Sequence, residues 1–289
     1  MAEDLAVDVR WGTPARTHDP WLLANFRPRS TDILITTAPK AGTTWMQQIL
    51  YQIISGGDDG FESIFDVVPW LECPRKNKSR EETLQEYDAM GDPRVFKTHC
   101  TYEQTPGNDR VRIILTSRDP RDCCISFYHH IMDMTEEGRA MAGVTAPATF
   151  DEYFTKWMAF GSWFRNVRSW WPHRDDPNVL WLRYEDMKED LEMTLDRILD
   201  FLGHELTPTQ RERVLEHSSF AWMKKNAGRF TRICDWGVNL FKPGGFIRKG
   251  QIGGYRALMS PEQEQRILAR AQAMLEPACL DFLGLRRGN

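Results

Sequence analysis

Four short runs of valine, isoleucine and leucine recur along the 289-residue chain, at residues 32–37, 94–97, 111–115 and 179–182. Each run has the apolar character of a strand buried on both faces, and each leads into a turn. Helix-period patterns follow most of the runs, an alternation typical of a parallel α/β sheet. We therefore predict one α/β domain over residues 1–289, with its core at about 30–285 and helices flanking a central parallel sheet.

The strongest helical pattern follows the first run. Met46, Ile49, Leu50, Ile53 and Ile54 fall at i, i+3, i+4, i+7 and i+8, so they share one helix face. The glycine pair at 56–57 then acts as a stop signal. Cap and periodicity patterns predict further helices that start near residues 149, 191, 207 and 260, the first with capping-box form at 149–152.

One long segment lacks periodicity. Residues 224–255 are rich in glycine, lysine and arginine, and the segment is too long for a plain connection in a compact domain. We predict a mobile binding loop or lid there.

Charge and composition exclude several classes of protein. The formal net charge is −4, which gives no support for a nucleic-acid partner, because such a partner needs a basic face. The apolar runs are far shorter than the roughly 20 residues that span a bilayer, and the acidic N-terminus lacks the basic start of a secretory signal. These features predict a cytoplasmic protein.

The cysteines and tryptophans give less information about function. Six cysteines lack metal-ligand spacing, and the vicinal pair Cys123–Cys124 is poorly suited to an ordinary disulfide, so we predict reduced thiols and no metal site. Eleven tryptophans exceed what a plain core requires. A cluster that includes Trp157, Trp163, Trp170 and Trp171 is open to two interpretations, packing or the lining of an apolar pocket.

The turn after the first run has the chemistry of an anion site. Residues 38–45 join a strand to a helix and supply backbone N–H groups, a glycine and two threonines at the helix start, where phosphate binds readily. A Walker A loop places its lysine directly after its last glycine. Here Lys40 precedes Gly42 by two residues, so the usual ATP and magnesium arrangement is missing. A plain turn with a helix-capping threonine is the alternative interpretation.

Residues 37–45 read Thr-Ala-Pro-Lys-Ala-Gly-Thr-Thr-Trp. This resembles the Tyr-Pro-Lys-Ser-Gly-Thr-Thr-Trp loop of the cytosolic sulfotransferases, whose sulfuryl donor is 3′-phosphoadenosine 5′-phosphosulfate. The resemblance implies that the loop wraps the 5′ end of the donor and that its tryptophan lies near the adenine. The implied binding residues of the loop are Lys40, Ala41, Gly42, Thr43, Thr44 and Trp45.

Two basic motifs complete the donor site by resemblance. Arg118 follows the third run and, with Ser126, is implied to hold the 3′-phosphate. Arg248, Lys249 and Gly250 match the Arg-Lys-Gly element that closes on the same phosphate. Taken alone, Arg118 paired with Asp119 or Asp122, and the basic step at 248–249, would be solvated surface charges.

Weaker motifs lie between the basic ones. The Tyr-Glu-Asp-Met run that starts at Tyr184 and the segment containing Ser218, Phe220 and Met223 match family segments beside the nucleotide. The elements occur in family order from residue 37 to 250, so the resemblance covers nearly the whole chain.

Sulfuryl transfer can proceed without magnesium, because the sulfuryl group bears less negative charge than a phosphoryl group and a few fixed cations suffice. His99 ends the second run in a Lys-Thr-His motif, and imidazole is suited to accept the proton of an attacking hydroxyl. We assign His99 as general base. Resemblance and electrostatic need assign Lys40 to the leaving phosphate oxygen and Lys97 to the sulfuryl oxygens. His129 and His130, in a helix that borders the acceptor pocket in the family, receive no role.

Three departures from the family pattern stand out. Ala41 replaces a hydroxyl residue that would restrain Lys40, which leaves open how donor hydrolysis is controlled. Residues 251–256 replace the usual Asp-Trp-Lys run, so a different loop shape is expected there. Ser260–Pro261 interrupts the stretch that matches the family's dimer motif, so that dimer is not predicted and the oligomeric state stays open.

The predicted function is sulfuryl transfer to a hydroxyl or amine of a small, hydrophobic acceptor. Two alternatives are a P-loop-like small-molecule kinase and a catalytically silent nucleotide-binding protein. The position of Lys40 disfavours the first, and the presence of both His99 and Lys40 disfavours the second.

Overall fold

Four parallel strands form the centre of the fold, at the four apolar runs. The structure, a computed structural model, describes residues 9–233 and 236–286. The strands are β1 (Ile33–Thr36), β2 (Val95–Thr98), β3 (Arg112–Ser117) and β4 (Val179–Arg183). The four predicted strands and the parallel α/β class are confirmed, although the ends of the observed strands differ from the predicted ends by up to two residues.

Helices surround the sheet. They are α1 (Pro20–Asn25), α2 (Thr43–Ser55), α3 (Ile64–Val67), α4 (Arg80–Ala89), α5 (Pro120–Asp133), α6 (Glu136–Ala142), α7 (Phe150–Phe160), α8 (Ser162–Trp170), α9 (Tyr184–Glu189), α10 (Leu191–Leu202), α11 (Pro208–Ser218), α12 (Phe220–Lys225), α13 (Pro261–Met274) and α14 (Pro277–Phe282). The predicted helices at 46–54, 191–202 and from 207 and 260 are confirmed. At the start of α7, Thr149 caps the helix, but Glu152 accepts from the Ala148 N–H instead of closing a capping box.

The strand order is β2-β1-β3-β4. Strand β1 pairs with β2 on one side and with β3 on the other, so the chain reverses its direction of winding between β1 and β3. In open parallel sheets the crevice beyond the carboxyl ends at such a switch point is the usual place for a ligand. The phosphate turn follows β1 and Arg118 follows β3, so both lie at this crevice.

Alternate side chains of β1 enter two separate apolar clusters. Leu34 packs in one cluster with Phe96 and Ile113, while Ile33 and Ile35 pack in the other. Both faces of the sheet are therefore covered, as the uninterrupted apolar runs require.

At the amino edge of the sheet, Arg94 forms a wholly buried ion pair with Asp32, 2.6 Å between Nη2 and Oδ2. The Arg94 guanidinium also donates to the carbonyls of Arg27 and Tyr87, and the Arg94 carbonyl accepts from the Ile33 N–H of β1. This pairing ties β1 to β2 at the end opposite the crevice.

The four tryptophans of the predicted cluster do not all have the same role: some pack in the core and one lines a pocket. Trp163, Trp170 and Trp171 are buried core residues, and Trp157 also lines a cavity described below. No disulfide links the five described cysteines, and Cys234 and the acidic N-terminal residues 1–8 lie outside the described residues. Across the described segments, the structure contains no helix with the length and apolar character required to cross a membrane.

Candidate active site

The phosphate turn after β1 has an unusual backbone. Lys40 has φ +69°, the only positive φ of a non-glycine residue in the described part of the chain, and Gly42, which begins α2, has φ +103°. No side chain caps α2, so the backbone N–H groups of its first turn remain available for an anion. A Cβ on Gly42 would lie 3.0 Å from Tyr184 Cδ2, so a close approach also requires glycine here.

A cavity of about 1400 Å³ opens at this turn. It brings together fifteen of the seventeen residues that sequence reasoning assigned to the site: Lys40, Gly42, Thr43, Thr44, Trp45, Lys97, His99, Arg118, Ser126, Tyr184, Phe220, Met223, Arg248, Lys249 and Gly250. Ala41 and Ser218 are buried beside the cavity and do not line it. Their carbonyls accept hydrogen bonds from Thr116 Oγ1 and Trp45 Nε1, respectively.

One end of the cavity is a group of aromatic rings. The Trp45 indole is fixed by its 2.7 Å bond to the Ser218 carbonyl and lies 5.6 Å, centroid to centroid, from the Tyr184 ring. A Cβ on Gly250 would meet Phe220 at 3.2 Å and the Tyr184 hydroxyl at 3.3 Å. The four separate motifs that carry these residues therefore meet around one space suited to a flat base.

Arg118 is buried rather than solvated. It stacks over Tyr184, 4.6 Å from the ring centre, and its Nη2 donates to the Gln251 carbonyl at 2.7 Å. Its Asp122 partner is distant, at 3.7 Å, and its Nε is buried without a hydrogen-bond partner within the described structure. The alternative of a solvated salt bridge is wrong, because Arg118 faces the cavity with donor capacity to spare.

The chain after Gly250 is anchored to α5. Asp122, near the start of α5, accepts hydrogen bonds from the backbone N–H groups of Gly253 and Tyr255. With the Arg118–Gln251 bond, these contacts anchor the outer part of the basic loop to the same helix that carries Ser126.

His99 is held in one tautomer. Its Nδ1–H donates to the Thr37 carbonyl at 2.7 Å, which leaves the Nε2 lone pair to accept a proton. Nε2 lies 3.4 Å from Lys97 Nζ. Burial, with the positive charge of Lys97, lowers the pKa of His99 to about 3, so the imidazole is neutral near pH 7.

Two lysines flank His99 in different surroundings. Lys97 Nζ lies 3.3 Å from the centre of the Trp70 ring, a short cation–π contact. Lys40 Nζ instead lies 3.1 Å from His130 Nδ1. Burial and the positive charge of Arg118 lower the pKa of Lys40 to about 8, so it carries its charge at neutral pH.

Some residues that shape the site had no sequence assignment. Glu72 Oε1 accepts from the His99 backbone N–H at 2.9 Å, Trp70 stacks on Lys97, and His130 binds Lys40. Trp70 and Glu72 belong to a loop with no anion-binding pattern, so local sequence carried no signal for them. The sequence showed that His130 follows Ser126 closely, but only the fold shows that it contacts Lys40.

Sequence spacing also missed one group of potential metal ligands on the cavity wall. His18, Glu72 and Cys100 each bring a ligand atom to within 4.8 Å of the others. His18 Nε2 already donates to the Trp11 carbonyl, and Glu72 Oε1 already accepts from the His99 backbone N–H, so two of the three residues serve contacts within the protein.

Comparison with known proteins places this cavity in a family. The family profile described as Sulfotransferase domain matches residues 30–276. Sulfotransferase 1E1 of Homo sapiens is 34% identical over 268 residues, which cover 89% of this chain and 88% of the relative. The chain belongs to the sulfotransferase family.

Solved structures agree on the fold. Mouse sulfotransferase SULT7A1 complexed with PAP superimposes with a TM-score of 0.71 at 24% identity, covering 91% of both chains. Retinol dehydratase in a complex with retinol and PAP gives a TM-score of 0.63 at 25% identity, covering 92% of this chain and 86% of that one. This sulfotransferase is therefore an enzyme that takes its sulfuryl group from 3′-phosphoadenosine 5′-phosphosulfate, and the comparisons favour neither the kinase nor the silent alternative.

The residues that line the cavity of this sulfotransferase are chemically suited to such a donor. The uncapped start of α2 offers N–H groups to a 5′-phosphate, and the unpartnered Arg118 Nε is available for a second phosphate. The aromatic end formed by Trp45, Tyr184 and Phe220 offers flat surfaces to a base.

Gly42→Ala tests the phosphate turn. The new Cβ meets Tyr184 and strains a positive-φ backbone, so we expect affinity for PAP, measured by calorimetric titration, to fall about tenfold or more. Gly203→Ala is a matched control, because Gly203 also has positive φ at a helix end but has open space around its Cβ position. Equal PAP affinity in the two variants would contradict the turn's role.

Proposed function

We propose that this enzyme sulfates a hydroxyl of a small hydrophobic acceptor, with His99 as base and Lys40 and Lys97 as the cations at the reacting group. The observation that carries the proposal is the cluster at the carboxyl ends of β1 and β2, where Lys97 Nζ donates to His99 Nε2 at 3.4 Å while Nδ1–H is engaged by the Thr37 carbonyl. The bound donor supplies the sulfuryl group. The chain's own side chains then have to orient the acceptor, take its proton and balance charge.

His99 is suited to the proton transfer. The Thr37 carbonyl and the Glu72 carboxylate fix the ring and the backbone of His99 from two sides. An acceptor hydroxyl in the cavity competes with Lys97 for Nε2, and once it is seated there its proton passes to that nitrogen as its oxygen becomes nucleophilic. The low pKa of His99 keeps the lone pair available, and a nearby anionic donor raises that pKa towards the value an efficient base needs.

Lys40 and Lys97 supply positive charge at separate places. Lys97 is held against the Trp70 ring on the β2 side, and Lys40 projects from the turn that begins α2. A 5′-phosphate bound at this turn would have Lys40 at hand for the leaving phosphate oxygen. Lys97, beside His99, would act on the oxygens of the sulfuryl group, and each preorganised charge would stabilise the transition state.

The rest of the cavity supports an apolar acceptor. Its wall includes the rings of Phe65, Trp70, Tyr153, Trp157 and Phe246. Retinol dehydratase, one of the structural neighbours, is solved with retinol, a hydrophobic alcohol. We propose phenols and fused-ring or polyene alcohols as the acceptor class, and a reducing cytoplasm as the compartment, in keeping with buried cysteines that form no described disulfide.

A panel assay tests the function. The enzyme is incubated with 3′-phosphoadenosine 5′-phosphosulfate and equal concentrations of phenols, sterols, polyene alcohols and polar sugars, with a chelator present, and products are identified by mass spectrometry. We expect a sulfo group on the hydrophobic hydroxyl compounds, because an apolar cavity favours burial of apolar surface. Products confined to the sugars, or transfer seen only from ATP with magnesium, would refute the proposal.

His99→Ala is expected to lower kcat for the best acceptor by roughly 10² or more, as for loss of a general base. The affinity for PAP should stay within about twofold, because the groups proposed to hold its phosphates, the N–H groups at the start of α2 and Arg118, are unchanged. His204→Ala, which alters a histidine outside the cavity, serves as control. Unchanged kcat in His99→Ala would show that another group takes the proton.

The pH profile separates His99 from Lys40. The pH dependence of kcat/KM for the donor reports the pKa values of the ionising groups of the free enzyme. With a pKa lowered to about 3, His99 stays neutral as pH falls from 7 to 5, so no acid limb near 6.5 is expected. With a pKa lowered to about 8, Lys40 loses its charge above that pH, so kcat/KM should fall there. Lys40→Arg keeps its charge and should abolish the fall; an alkaline limb of unchanged position would exclude Lys40 as its source.

A further inference from the structure

Three side chains that can bind a metal meet on the wall of the cavity. His18, Glu72 and Cys100 each bring one potential ligand atom to within 4.8 Å of the other two. His18 lies in the segment before α1, Glu72 lies between α3 and α4, and Cys100 lies just beyond the end of β2. The Asp19 N–H donates to the Glu72 carbonyl at 2.8 Å, which joins the first two segments directly. The fold thus assembles a group of ligands that no local sequence pattern contains.

Glu72 has one carboxylate oxygen in use and one without a partner. Oε1 accepts from the His99 backbone N–H at 2.9 Å, and only 2% of Glu72 is exposed. Oε2 is buried and has no hydrogen-bond partner among the described residues. A polar atom buried without a partner costs free energy, and the cost is greatest for a charged group. A cation bound to Oε2 would offset that cost.

The His18 ring already has the orientation of a metal ligand. Its Nε2 lies 2.6 Å from the Trp11 carbonyl oxygen. A carbonyl oxygen only accepts, so the proton is on Nε2 and Nδ1 keeps a lone pair. Histidines that bind metals usually donate their second N–H to a carbonyl or carboxylate in this way. Two backbone hydrogen bonds with Ala15, at 2.8 and 3.2 Å, hold the segment that carries the ring.

The backbone of Cys100 is fixed on both sides. Its N–H donates to Thr98 Oγ1 at 3.1 Å. Its carbonyl accepts from Asn166 Nδ2 at 2.9 Å and from Trp170 Nε1 at 3.3 Å. A thiol on such a backbone is presented from one position, so little conformational freedom is lost when its sulfur binds an ion.

The ligand atoms select the class of metal. One sulfur, one nitrogen and one oxygen suit zinc and similar ions, whereas magnesium and calcium prefer sites made of oxygen. Zinc bonds of about 2.0–2.3 Å in a tetrahedron separate the ligand atoms by roughly 3.3–3.8 Å, so the three groups need to approach by only about 1 Å. A thiolate and a carboxylate together also balance the charge of a divalent ion, so the filled site adds no net charge to the interior.

We propose that His18, Glu72 and Cys100 bind a zinc-class divalent cation, and that the bound ion inhibits sulfuryl transfer. On binding, the sulfur of Cys100 bonds to the ion and the thiol proton leaves to solvent. The three protein ligands leave a fourth position for water, and this position is on the cavity side because all three residues line the cavity. The ion is an inhibitor rather than a cofactor, because fixed cations of the chain suffice for the transfer.

Inhibition follows from the place of the site beside the proposed base. Cys100 directly follows His99, and Glu72 binds the His99 backbone N–H. An ion held between Glu72 and Cys100, with its water, therefore takes space that an acceptor hydroxyl needs in order to reach His99. This second half of the inference rests on the proposed function, whereas binding of the ion does not.

The test measures binding and transfer separately. Metal-free enzyme is titrated calorimetrically with zinc, and with cobalt(II), whose visible absorption reports tetrahedral coordination that includes a thiolate. The wild type is compared with Cys100→Ser and His18→Ala. Cys279→Ser is the matched control, because Cys279 is also a buried thiol but lies in α14 and does not line the cavity. Affinity for PAP verifies that each variant is folded.

We expect one zinc ion per wild-type chain, with an affinity that falls at least about a hundredfold in Cys100→Ser and in His18→Ala and stays within about twofold in Cys279→Ser. Zinc at ten times its Kd should lower wild-type kcat/KM for a hydrophobic alcohol about tenfold, and a chelator should reverse the effect.

Two results would overturn the inference. Equal zinc affinity in the wild type and Cys100→Ser, or no zinc binding by the wild type at about 0.1 mM, would exclude the site. Zinc binding that leaves transfer unchanged would exclude inhibition. If the metal-free wild type transferred no sulfuryl group to any acceptor, the proposed function would fail instead, while the calorimetric and cobalt results would still decide whether the ion binds.

Discussion

The pairing of β1 with parallel neighbours on both sides is the constraint from which the site follows. It places the carboxyl ends of β1, β2 and β3 side by side, and each of these ends carries a cation or a base: Lys40 after β1, Lys97 and His99 on β2, and Arg118 after β3. Residues as far apart as 40 and 118 meet because the sheet brings their strands together. The buried Arg94–Asp32 pair secures the opposite ends of the same strands.

The result is a concentration of positive charge within a chain of net charge −4. Lys40, Lys97, Arg118 and Arg248 all line one cavity, and their mutual repulsion is part of what lowers the pKa of Lys40. Such a cluster is unfavourable until an anion enters, and an anionic nucleotide relieves the repulsion when it binds. The cation–π contacts of Lys97 with Trp70 and of Arg118 with Tyr184 stabilise these charges meanwhile. Burial, together with the positive charges of the lysines, lowers the pKa of His99 and of His130 and keeps both imidazoles neutral, so one can act as a base and the other as a hydrogen-bond acceptor.

The sheet and most of the candidate site residues could be predicted from sequence, because the strands and the residues that follow them form short local patterns. Each strand is a short apolar run, and the residues that contact phosphate lie in the turns that follow, so pattern and motif lie together in sequence. Lys40, Gly42, Arg118 and His99 were found in this way. The contacts of Glu72, Trp70 and His130 were not, because each depends on a partner from a distant element. Ala41 and Ser218 show the opposite limit: both belong to site motifs, yet both are buried and neither lines the cavity.

The effect of Ala41 also changed once the fold was known. From sequence, the alanine only removed a hydroxyl beside Lys40. In the structure, a helix that follows β3 returns a histidine to the same ammonium group. The effect of a substitution within a motif therefore depends also on residues that are distant in sequence but that the fold brings into contact with the motif.

The central claim is that the β1 turn, Arg118 and the basic loop bind one nucleotide between them. A crystal structure of the enzyme with PAP tests it most directly. The account predicts the 5′-phosphate within about 2.7–3.2 Å of the backbone N–H groups at the start of α2, and the 3′-phosphate on the Arg118 guanidinium. A nucleotide bound with its phosphates away from both groups would contradict it.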